Sequence, residues 1–389
     1  MPDSDDAWTL RTYDSLAKVP AKAWDACAGD ENPFVSHAFL LALEESGSAT
    51  AETGWLGQHL ALEDAAGQLI GCVPLYLKNH SYGEYVFDWG WADAYERAGG
   101  RYYPKLQSSV PFTPVTGPRI LVRPGPDRAR AEELLMQGLQ RVAELHKVSS
   151  LHLTFPTERE WQALGEAGYL QRQGLQFHWH NQDYETFDDF LGALASRKRK
   201  AIKKERREAQ ESGLTIRALR GAEITERHWD AFHRFYLATI DKKWSQNYLT
   251  RSFFPLLGER LGDSVLLIVA ENQGEPVAAA LNLVGKERLF GRNWGCSREV
   301  RFLHFECCYY QAIEWAIGAG LKVVEAGAQG QHKVQRGYLP VPTYSAHWIA
   351  DEGFRAAVAD FLRREQRAVG QEIDFVTEMG PFRKPTTQL

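Results

Sequence analysis

Short segments of alternating or β-branched residues and longer amphipathic segments follow one another along the chain. In residues 127–146, Leu135, Leu139 and Val142 recur at helical spacing, which predicts a helix. A strand-like run at 150–155 follows directly. Further helices are predicted at 15–26, 36–46, 229–239 and 353–371. The mixture predicts an α/β (α+β) fold in which mixed sheets are flanked by helices.

A strand-turn-strand-strand order occurs twice. LALEDAAGQLIGCVPLYL in the first half aligns with LIVAENQGEPVAAALNLV in the second, and YVFDWGW at 85–91 aligns with LFGRNWG. Each copy continues into a helix and a further strand, and an internal repeat of this size predicts two related domains. The predicted strands are 59–63, 69–78, 85–91 and 150–155 in the first copy, and 266–271, 277–284, 288–294 and 322–325 in the second.

The length of 389 residues also favours two domains. We predict an N-terminal domain at 1–186, a basic connecting helix at 187–213, a C-terminal domain at 214–384 and a disordered tail at 385–389. Residues 91–115 read as a long irregular loop carrying aromatic side chains. Ordered loops of that length often act as binding loops or lids.

Composition excludes several classes of function. Charged residues make up 24% of the chain, the five cysteines have no paired metal spacing, and no run of 18 apolar residues occurs. We therefore expect a soluble, cytoplasmic protein with reduced thiols, no metal site and no tightly bound cofactor. The motifs GxSxG, GxxxxGK[ST], HExxH and CxxC are absent, as is GxGxxG after a strand.

One helix, predicted at 187–211, has a strongly basic centre. Residues 197–207 carry eight positive charges against one negative, although the whole chain has a formal net charge of −5. Such a helix can contact the phosphates of a nucleic acid, a cofactor or a membrane surface, or it can simply be a solvated face. The candidate phosphate- or tRNA-binding residues are Arg197, Lys200, Lys203, Lys204 and Arg207.

The stretch 321–340 concentrates the reactive groups of the second half. A short strand ends at Glu325, and the polar segment after it includes Gln329, His332, Lys333 and Arg336. Polar groups beyond the carboxyl end of a strand face a cleft in α/β folds. This stretch is predicted to form a site rather than a plain connecting loop.

The helix predicted at 304–319 places a carboxylate, Glu306, on its apolar face. A buried carboxylate needs a partner, and Arg292, His332 or Lys333 are the expected ones. One interpretation is a structural ion pair, and the other is a general base or an anchor for a substrate amine. His332 is a second candidate base, and Lys333 or Arg336 would stabilise an oxyanion. The expected catalytic residues are Glu306, His332 and Lys333. The expected substrate-binding residues are Arg292, Trp294, Tyr309, Tyr310, Glu325, Gln329 and Arg336.

Three segments carry a resemblance to a known family. They are FGRNWGC at 290–296, LHFECCYYQAI at 303–313 and EAGAQGQHK at 325–333. Together with the basic SRKRKAIKKERRE helix, they resemble the FemAB-like or "peptidoglycan biosynthesis/recognition" family of N-acyltransferases in the GNAT superfamily. The similarity extends from about residue 34 to 382. It implies two GNAT-like domains in tandem, as the internal repeat also does.

The resemblance leaves the acyl donor open. Related Fem-type enzymes take an amino acid from aminoacyl-tRNA, whereas ordinary GNAT enzymes take acetyl-CoA, whose pyrophosphate is held by a Q/RxxGxG/A loop. The corresponding residues 295–301, GCSREVR, depart from that loop. The expected reaction is therefore aminoacyl or acyl transfer to an amine of a small molecule or peptide, with tRNA as a partner and acyl-CoA as the alternative donor.

Two other classes of function stay open. The first is a non-catalytic module that recognises a cell-wall peptide or an amino-acid ligand. The second is a structural nucleic-acid partner, which is the weakest because the rest of the chain has no recognised nucleic-acid motif, and no DNA partner is expected. In the N-terminal half, Asp88, Trp89 and Trp91 are candidates for substrate contacts, with core packing as the alternative for both tryptophans.

Overall fold

A computed structural model describes residues 8–243, 246–327 and 330–383. The chain forms two compact units. The first contains Met1–Gly174 and Pro342–Gly370, and the second contains Leu175–Val341 and Gln371–Leu389. Tail residues 384–389, which include the predicted disordered segment, and Gln329 lie outside the described residues.

Among the described residues, the first unit contains eight strands, five helices and parts of three elements that it shares with the second unit. Its elements in chain order are β1 (Thr9–Tyr13), α1 (Ala21–Ala28), α2 (His37–Glu45), β2 (Trp55–Gly57), β3 (His59–Glu63), β4 (Leu69–Val73), β5 (Tyr76–Lys78), α3 (Trp89–Arg97), β6 (Lys105–Ser108), β7 (Leu121–Val122), α4 (Arg128–His146), β8 (Ser150–Thr154) and α5 (Glu158–Glu166).

Two groups of strands hold this unit together. Strands β1, β3, β4 and β7 form an antiparallel sheet in that order. Elsewhere β5 pairs antiparallel with β2 and β6, and β6 pairs parallel with β8. Helix α4 supplies Leu135, Leu139 and Val142 to a core shared with β3, β6 and β8. The apolar residues that recur at helical spacing within 127–146 thus form the side of α4 that faces the core.

The second unit follows the same plan with longer strands. Its elements are β9 (Leu170–His180, which begins in the first unit), α6 (Phe187–Ala193), α7 (Ser196–Gln210), β10 (Thr215–Arg220), α8 (Glu226–Lys243), α9 (Phe253–Leu261), β11 (Val265–Asn272), β12 (Glu275–Val284), β13 (Arg288–Cys296), α10 (Leu303–Phe305), α11 (Gln311–Gly318), β14 (Val323–Glu325), and the first residues of β15 (Leu339–Ile349); α12 (Glu352–Glu378) contributes to both units.

Strands β10 to β13 of the second unit are antiparallel to their neighbours, whereas β13 and β14 are parallel. Strand β14 also pairs antiparallel with the end of β9 through His178–His180. The core beneath these strands includes Leu266, Ile268, Tyr310 and Ile313. Strand β14 is buried beside its parallel neighbour β13 and ends at Glu325. The reactive segment that follows Glu325 therefore begins at the end of a buried strand.

The internal repeat is present, but one of its two letter alignments is wrong. Residues 85–91 do not form a strand: Tyr85 has a φ of +61°, and helix α3 begins at Trp89. The strand equivalent to β13 is β6, which lies within the predicted irregular loop 91–115. In the first unit β6, α4 and β8 repeat the order of β13, α11 and β14.

Several predicted elements are divided in the structure. The segment 69–78 is two strands because Pro74 has no N–H to give to a ladder, and 15–26 is a 3-10 turn followed by α1, which starts after Pro20. The basic helix is two helices, α6 and α7, with extended backbone at Leu194 between them. The C-terminal helix is longer than predicted and ends at Glu378.

The helix predicted at 304–319 contains a π-turn, Glu306–Tyr310, between α10 and α11. Such turns hold one more residue than an α-helical turn and recur at functional sites. No helix among the described residues is long and apolar enough to cross a membrane.

Candidate active site

A histidine and a tyrosine of the second unit form the centre of the candidate site. The Tyr309 hydroxyl lies 2.9 Å from His332 Nε2, with Tyr309 on the π-turn and His332 on the 3-10 turn Gln331–Arg336. Tyr309 is buried, whereas His332 is exposed. The rings of His304 and Phe305 lie 6.2 and 5.7 Å from the imidazole, centroid to centroid. The imidazole is therefore held on one side by aromatic rings and open to solvent elsewhere.

The pKa of His332 is lowered by burial of part of its ring and by the nearby charges of Arg336 and Lys333. The imidazole is consequently neutral at pH 7, which is the form that can accept a proton. With Nε2 paired to Tyr309, Nδ1 is the remaining ring nitrogen. An exposed neutral imidazole fixed by a hydroxyl has the properties of a general base.

Arg336 is held on several sides within the site. Its guanidinium lies 3.4 Å from the centre of the Phe305 ring, and its Nη2 donates to both oxygens of Glu205 at 2.9 Å. Glu205 also accepts from the Tyr310 hydroxyl. Arg336 Nη1 donates to the His332 carbonyl at 2.7 Å, so the same guanidinium orders the turn that carries the imidazole.

Glu306 does not contact the partners that the sequence predicts. Its carboxylate is fully buried and accepts from Arg206 Nη2 at 3.0 Å, from Gln210 Nε2 at 3.1 Å and from Gln311 Nε2 at 2.8 Å. Arg206 and Gln210 belong to α7, so the carboxylate joins the π-turn to the basic helix. Of the two interpretations offered above, the geometry matches a buried Glu–Arg pair.

Lys333 and the glycines before it shape the polar turn. Lys333 is buried, and its Nζ donates to the Gly327 carbonyl at 3.1 Å. Gly330 has a φ of +114°, and a Cβ there would meet the His332 ring at 2.5 Å. Only a residue without a side chain allows the imidazole to lie this close to the backbone.

Glu325 and Arg292 form a separate cluster on the strands. Glu325 is fully buried; Arg288 Nη1 lies 3.2 Å and Arg292 Nη2 3.7 Å from its oxygens, and His178 Nε2 lies 4.0 Å away. Burial lowers the pKa of His178 to about 4, so this imidazole is neutral. The cluster joins β9, β13 and β14 at the start of the polar segment.

The other predicted residues divide between the two groups. Trp294 packs against the ring of His304 at 5.4 Å, and Tyr310 is buried against α7. Both therefore border the His332–Tyr309 centre, whereas Arg292 and Glu325 lie in the strand cluster.

The basic helix α7 has two distinct faces. Its inner face carries Glu205, Arg206 and Gln210 to the site residues described above. The predicted phosphate-binding residues are all exposed on the other side: Arg197, Lys200, Lys203, Lys204 and Arg207. Within this exposed set, Lys203 pairs with Asp188 and Lys204 with Glu208, both in solvent.

Sequence reasoning missed the inner face of α7. Glu205 is the one acidic residue within 197–207, and that isolated carboxylate in a basic run was an available signal for an inward ion pair. Phe305 and His178 were also missed. Their roles depend on the π-turn and on the β9–β14 pairing, neither of which leaves a local sequence pattern.

Comparison with known proteins places the chain in a family. A model of FemAB-like proteins, described as peptidoglycan biosynthesis/recognition, matches residues 15–384. The chain belongs to the FemAB-like family. A search of curated proteins gave no match.

Solved structures share the fold of this FemAB-like protein at low sequence identity. A domain assigned as the C-terminal part of a lysylphosphatidylglycerol synthetase from Agrobacterium fabrum has a TM-score of 0.57 at 10% identity, covering 89% of this chain and 97% of that one. FemX has a TM-score of 0.56 at 11% identity, covering 88% and 98%. L-PGS from Bacillus licheniformis has a TM-score of 0.51 at 12% identity, covering 91% and 99%. The fold is that of two GNAT-like domains in tandem.

Proposed function

We propose that this protein is an N-acyltransferase that transfers an aminoacyl group from aminoacyl-tRNA to the amine of a cell-wall peptide or a small amino compound. Family membership and the tandem GNAT-like fold support acyl transfer as the reaction class. The observation that carries the proposal is the neutral, exposed His332 imidazole fixed by Tyr309 and flanked by Arg336 and Lys333.

His332 acts as the general base in the proposed reaction. The acceptor loses one proton to solvent and reacts as a neutral amine: its nitrogen bonds to the carbonyl carbon of the aminoacyl ester while the imidazole takes a second proton from that nitrogen. The tetrahedral oxyanion is stabilised by the positive charge of Lys333 or Arg336. Collapse breaks the ester bond, and the departing ribose oxygen takes the proton from the imidazolium.

Glu306 has a positioning role in this proposal. Its carboxylate already accepts from Arg206, Gln210 and Gln311, so it is occupied by hydrogen bonds from the protein. By holding the π-turn against α7, it fixes Tyr309 and Tyr310 with respect to the basic helix. The predicted substrate contacts of Trp294, Tyr309 and Arg336 remain part of the proposal.

Two features favour tRNA over acyl-CoA as the donor. The exposed face of α7 supplies five cations that can pair with phosphates. The segment 295–301 is used for packing: Ser297 N donates to the Val277 carbonyl at 2.8 Å, and a Cβ on Gly295 would meet the Phe235 carbonyl at 2.3 Å. The Ser297 N–H is therefore engaged within the protein, and the backbone of Gly295 packs closely against Phe235.

The salt dependence of binding to charged tRNA tests the donor. The observed binding constant should fall steeply with salt, and the slope of log K against log salt should decrease by about 3 when Lys200, Lys203, Lys204 and Arg207 are all changed to Ala. A control with four exposed arginines of other helices changed to Ala should keep the slope: Arg128, Arg141, Arg363 and Arg364.

Turnover is then measured with charged tRNA and with acyl-CoA thioesters in parallel. His332→Gln should abolish transfer while tRNA affinity is kept, which a non-catalytic recognition module would not show. Equal salt slopes for the two quadruple variants would contradict the tRNA donor. Transfer from thioesters alone would establish the acyl-CoA alternative instead.

A further inference from the structure

A surface cavity of the second unit lies apart from the residues of the candidate active site. Its volume is about 530 Å³, which falls in the range of clefts that hold small molecules. The walls come from the 3-10 turns Gly221–Glu223 and Gly262–Ser264, from the first residues of α8 and from α9. None of the lining residues belongs to the His332–Tyr309 centre or to the strand cluster around Glu325.

The cavity has a negative charge. Among the described residues that line it, every charged side chain is a carboxylate. Glu226 is paired with Arg251. Glu259 and Asp263 are exposed and have no ion-pair partner within the part of the chain that the structure describes. Two unpaired carboxylates on one cavity wall favour a cation.

The arginines that border this region are already engaged elsewhere. Arg220 Nε donates to the backbone carbonyl of Asp263 at 2.9 Å, and its guanidinium lies 5.3 Å from the centre of the Trp315 ring. Arg251 pairs with Asp230 as well as with Glu226. The protein therefore leaves the charges of the cavity to be neutralised from outside.

The second feature of the cavity is an indole N–H that has no acceptor. Trp229 is 3% exposed, yet its Nε1 makes no hydrogen bond to any described residue, and the nitrogen is not sealed within the core. Gly258 lies against it, since a Cβ at that position would be 3.0 Å from Nε1. Because both residues line the cavity, the missing side chain leaves the N–H open to it. A ligand that supplies an acceptor would remove the cost of the unpaired donor.

Gly221 leaves a carboxylate open in a similar way. A Cβ at Gly221 would meet Asp263 Oδ1 at 2.3 Å, so the carboxylate lies directly against the backbone of this turn. The φ of Gly221 is +50°, which a residue with a side chain adopts only with strain. Two glycines on separate elements thus uncover a negative group and a hydrogen-bond donor within one cavity.

These two groups limit the chemistry of the ligand. The carboxylates of Glu259 and Asp263 repel anions, so a phosphate or a free carboxylate is disfavoured. A bare metal ion cannot accept from an indole N–H, which is a donor only. An organic cation that also carries a carbonyl oxygen meets both requirements.

We propose that this cavity binds a small organic cation that carries an amide carbonyl. The positive group pairs with Glu259 and Asp263, and the carbonyl oxygen accepts from Trp229 Nε1. The assignment goes beyond the proposed transfer reaction and does not rest on it. It gives the second unit a ligand site in addition to the His332 centre.

Calorimetric titration of the full-length protein with Nα-acetylargininamide tests the site. This probe has a guanidinium and amide carbonyls but no free amine, so it cannot act as the acceptor in the transfer reaction. Wild type should bind it. Nα-acetylcitrullinamide has a neutral urea of the same shape in place of the guanidinium, and it should bind at least about tenfold more weakly.

Removal of the two unpaired carboxylates tests the charge. The double variant Glu259→Gln with Asp263→Asn should weaken binding of the charged probe by about tenfold and leave that of the neutral probe unchanged. Both side chains are exposed, so the variant should fold normally. Glu166→Gln is the control, because it removes an exposed carboxylate from the last turn of α5, which has nine residues like α9.

Gly258→Ala tests the indole N–H. The added methyl group covers Nε1, so this variant should bind Nα-acetylargininamide about fivefold more weakly. It should bind butylguanidine, which has no carbonyl, like wild type. Gly192→Ala in α6 is the control, since a Cβ there meets nothing within 4 Å.

Several outcomes would overturn the proposal. They are equal affinities for the charged and the neutral probe, a charged-probe affinity that the double carboxylate variant leaves unchanged, and absence of binding up to the solubility limit of the probe. Equal weakening of butylguanidine in Gly258→Ala would contradict the hydrogen bond from Trp229. The tRNA salt series and the transfer assay use neither these residues nor these probes, so failure of the two proposals can be distinguished.

Discussion

At the scale of single residues, the close approach of the Gly330 backbone to the His332 ring bears on the proposed role of His332 as a base. Gly330 and Gly327 lie in the same polar turn with φ values of +114° and +77°. A side chain at either position is strained, but only at Gly330 would a Cβ meet the imidazole, at 2.5 Å; at Gly327 it would meet nothing within 4 Å. A substitution at Gly327 would therefore strain the backbone alone, whereas one at Gly330 would strain the backbone and also displace the His332 ring.

This pair gives a matched test of the proposed base. Gly330→Ala and Gly327→Ala should both lower the free energy of unfolding by about 1–2 kcal/mol, because each forces an alanine into the left-handed region. Gly330→Ala should lower kcat by a further tenfold or more, since it displaces His332. Steady-state kinetics and urea unfolding measure both effects, and equal kcat values for the two variants would argue against the base.

At the scale of elements, α7 is joined to the π-turn by a buried ion pair whose two halves come from distant parts of the sequence. Arg206→Met should cost about 3–5 kcal/mol of folding free energy, because it leaves the Glu306 carboxylate buried with only amide partners. The double variant Arg206→Met with Glu306→Leu should recover most of that loss, since no charge is then left buried. Urea denaturation of the two single variants and the double variant gives the coupling energy.

A double variant no more stable than Arg206→Met alone would contradict this view of the pair. The prediction concerns stability, and transfer activity should stay low in the double variant even where stability recovers. Tyr309 loses its fixed relation to α7 when the carboxylate is removed. That separation distinguishes a positioning role for Glu306 from a purely structural one.

At the scale of the whole molecule, two buried histidines of the first unit set a limit on acid stability. His152 Nδ1 and His347 Nδ1 are 2.7 Å apart, with a serine hydroxyl on the other nitrogen of each ring. Burial lowers the pKa of His152 to about 3 and that of His347 well below its usual value. Asp88, Lys105 and Arg172 are the charges nearby.

The lowered pKa values of His152 and His347 determine the direction in which acid changes the stability of the fold. Both rings stay neutral in the folded state, whereas the unfolded chain protonates them below about pH 6.5. Stability from these groups is thus complete above pH 6.5 and is lost as the pH falls towards 3, by about 1.4 kcal/mol per imidazole at pH 5.5. Urea unfolding at pH 7.5 and 5.5 should show the loss, and His347→Gln should reduce it.

His146 provides the control, because it is an exposed histidine of the same unit. His146→Gln should leave the difference between pH 7.5 and 5.5 as it is in wild type. A pH dependence that is unchanged in His347→Gln would place the acid sensitivity elsewhere.

The sequence predicts those parts of this molecule that depend on local periodicity. Helices α2 and α4, strands β3 and β11 to β13, and the tandem repeat all follow from spacing and turn residues. The strand predicted at 85–91 was wrong because its pattern comes from a buried carboxylate, Asp88, between the exposed rings of Phe87 and Trp89, which is the reverse of a strand on a core. The partner of Glu306 was also wrong, since it is set by the packing of α7, a contact between residues 100 positions apart.

The π-turn has a consequence for how the segment LHFECCYYQAI, residues 303–313, can vary. A helix advances about 100° per residue, so the extra residue at Glu306–Tyr310 rotates α11 by that angle relative to α10. Removing one of the two adjacent cysteines in this turn would restore continuous α-helical phase. Glu306 and Tyr310 could then no longer both face α7 while Ile313 and Ile317 stay in the core. The length of this segment is consequently constrained more strictly than the identity of its cysteines.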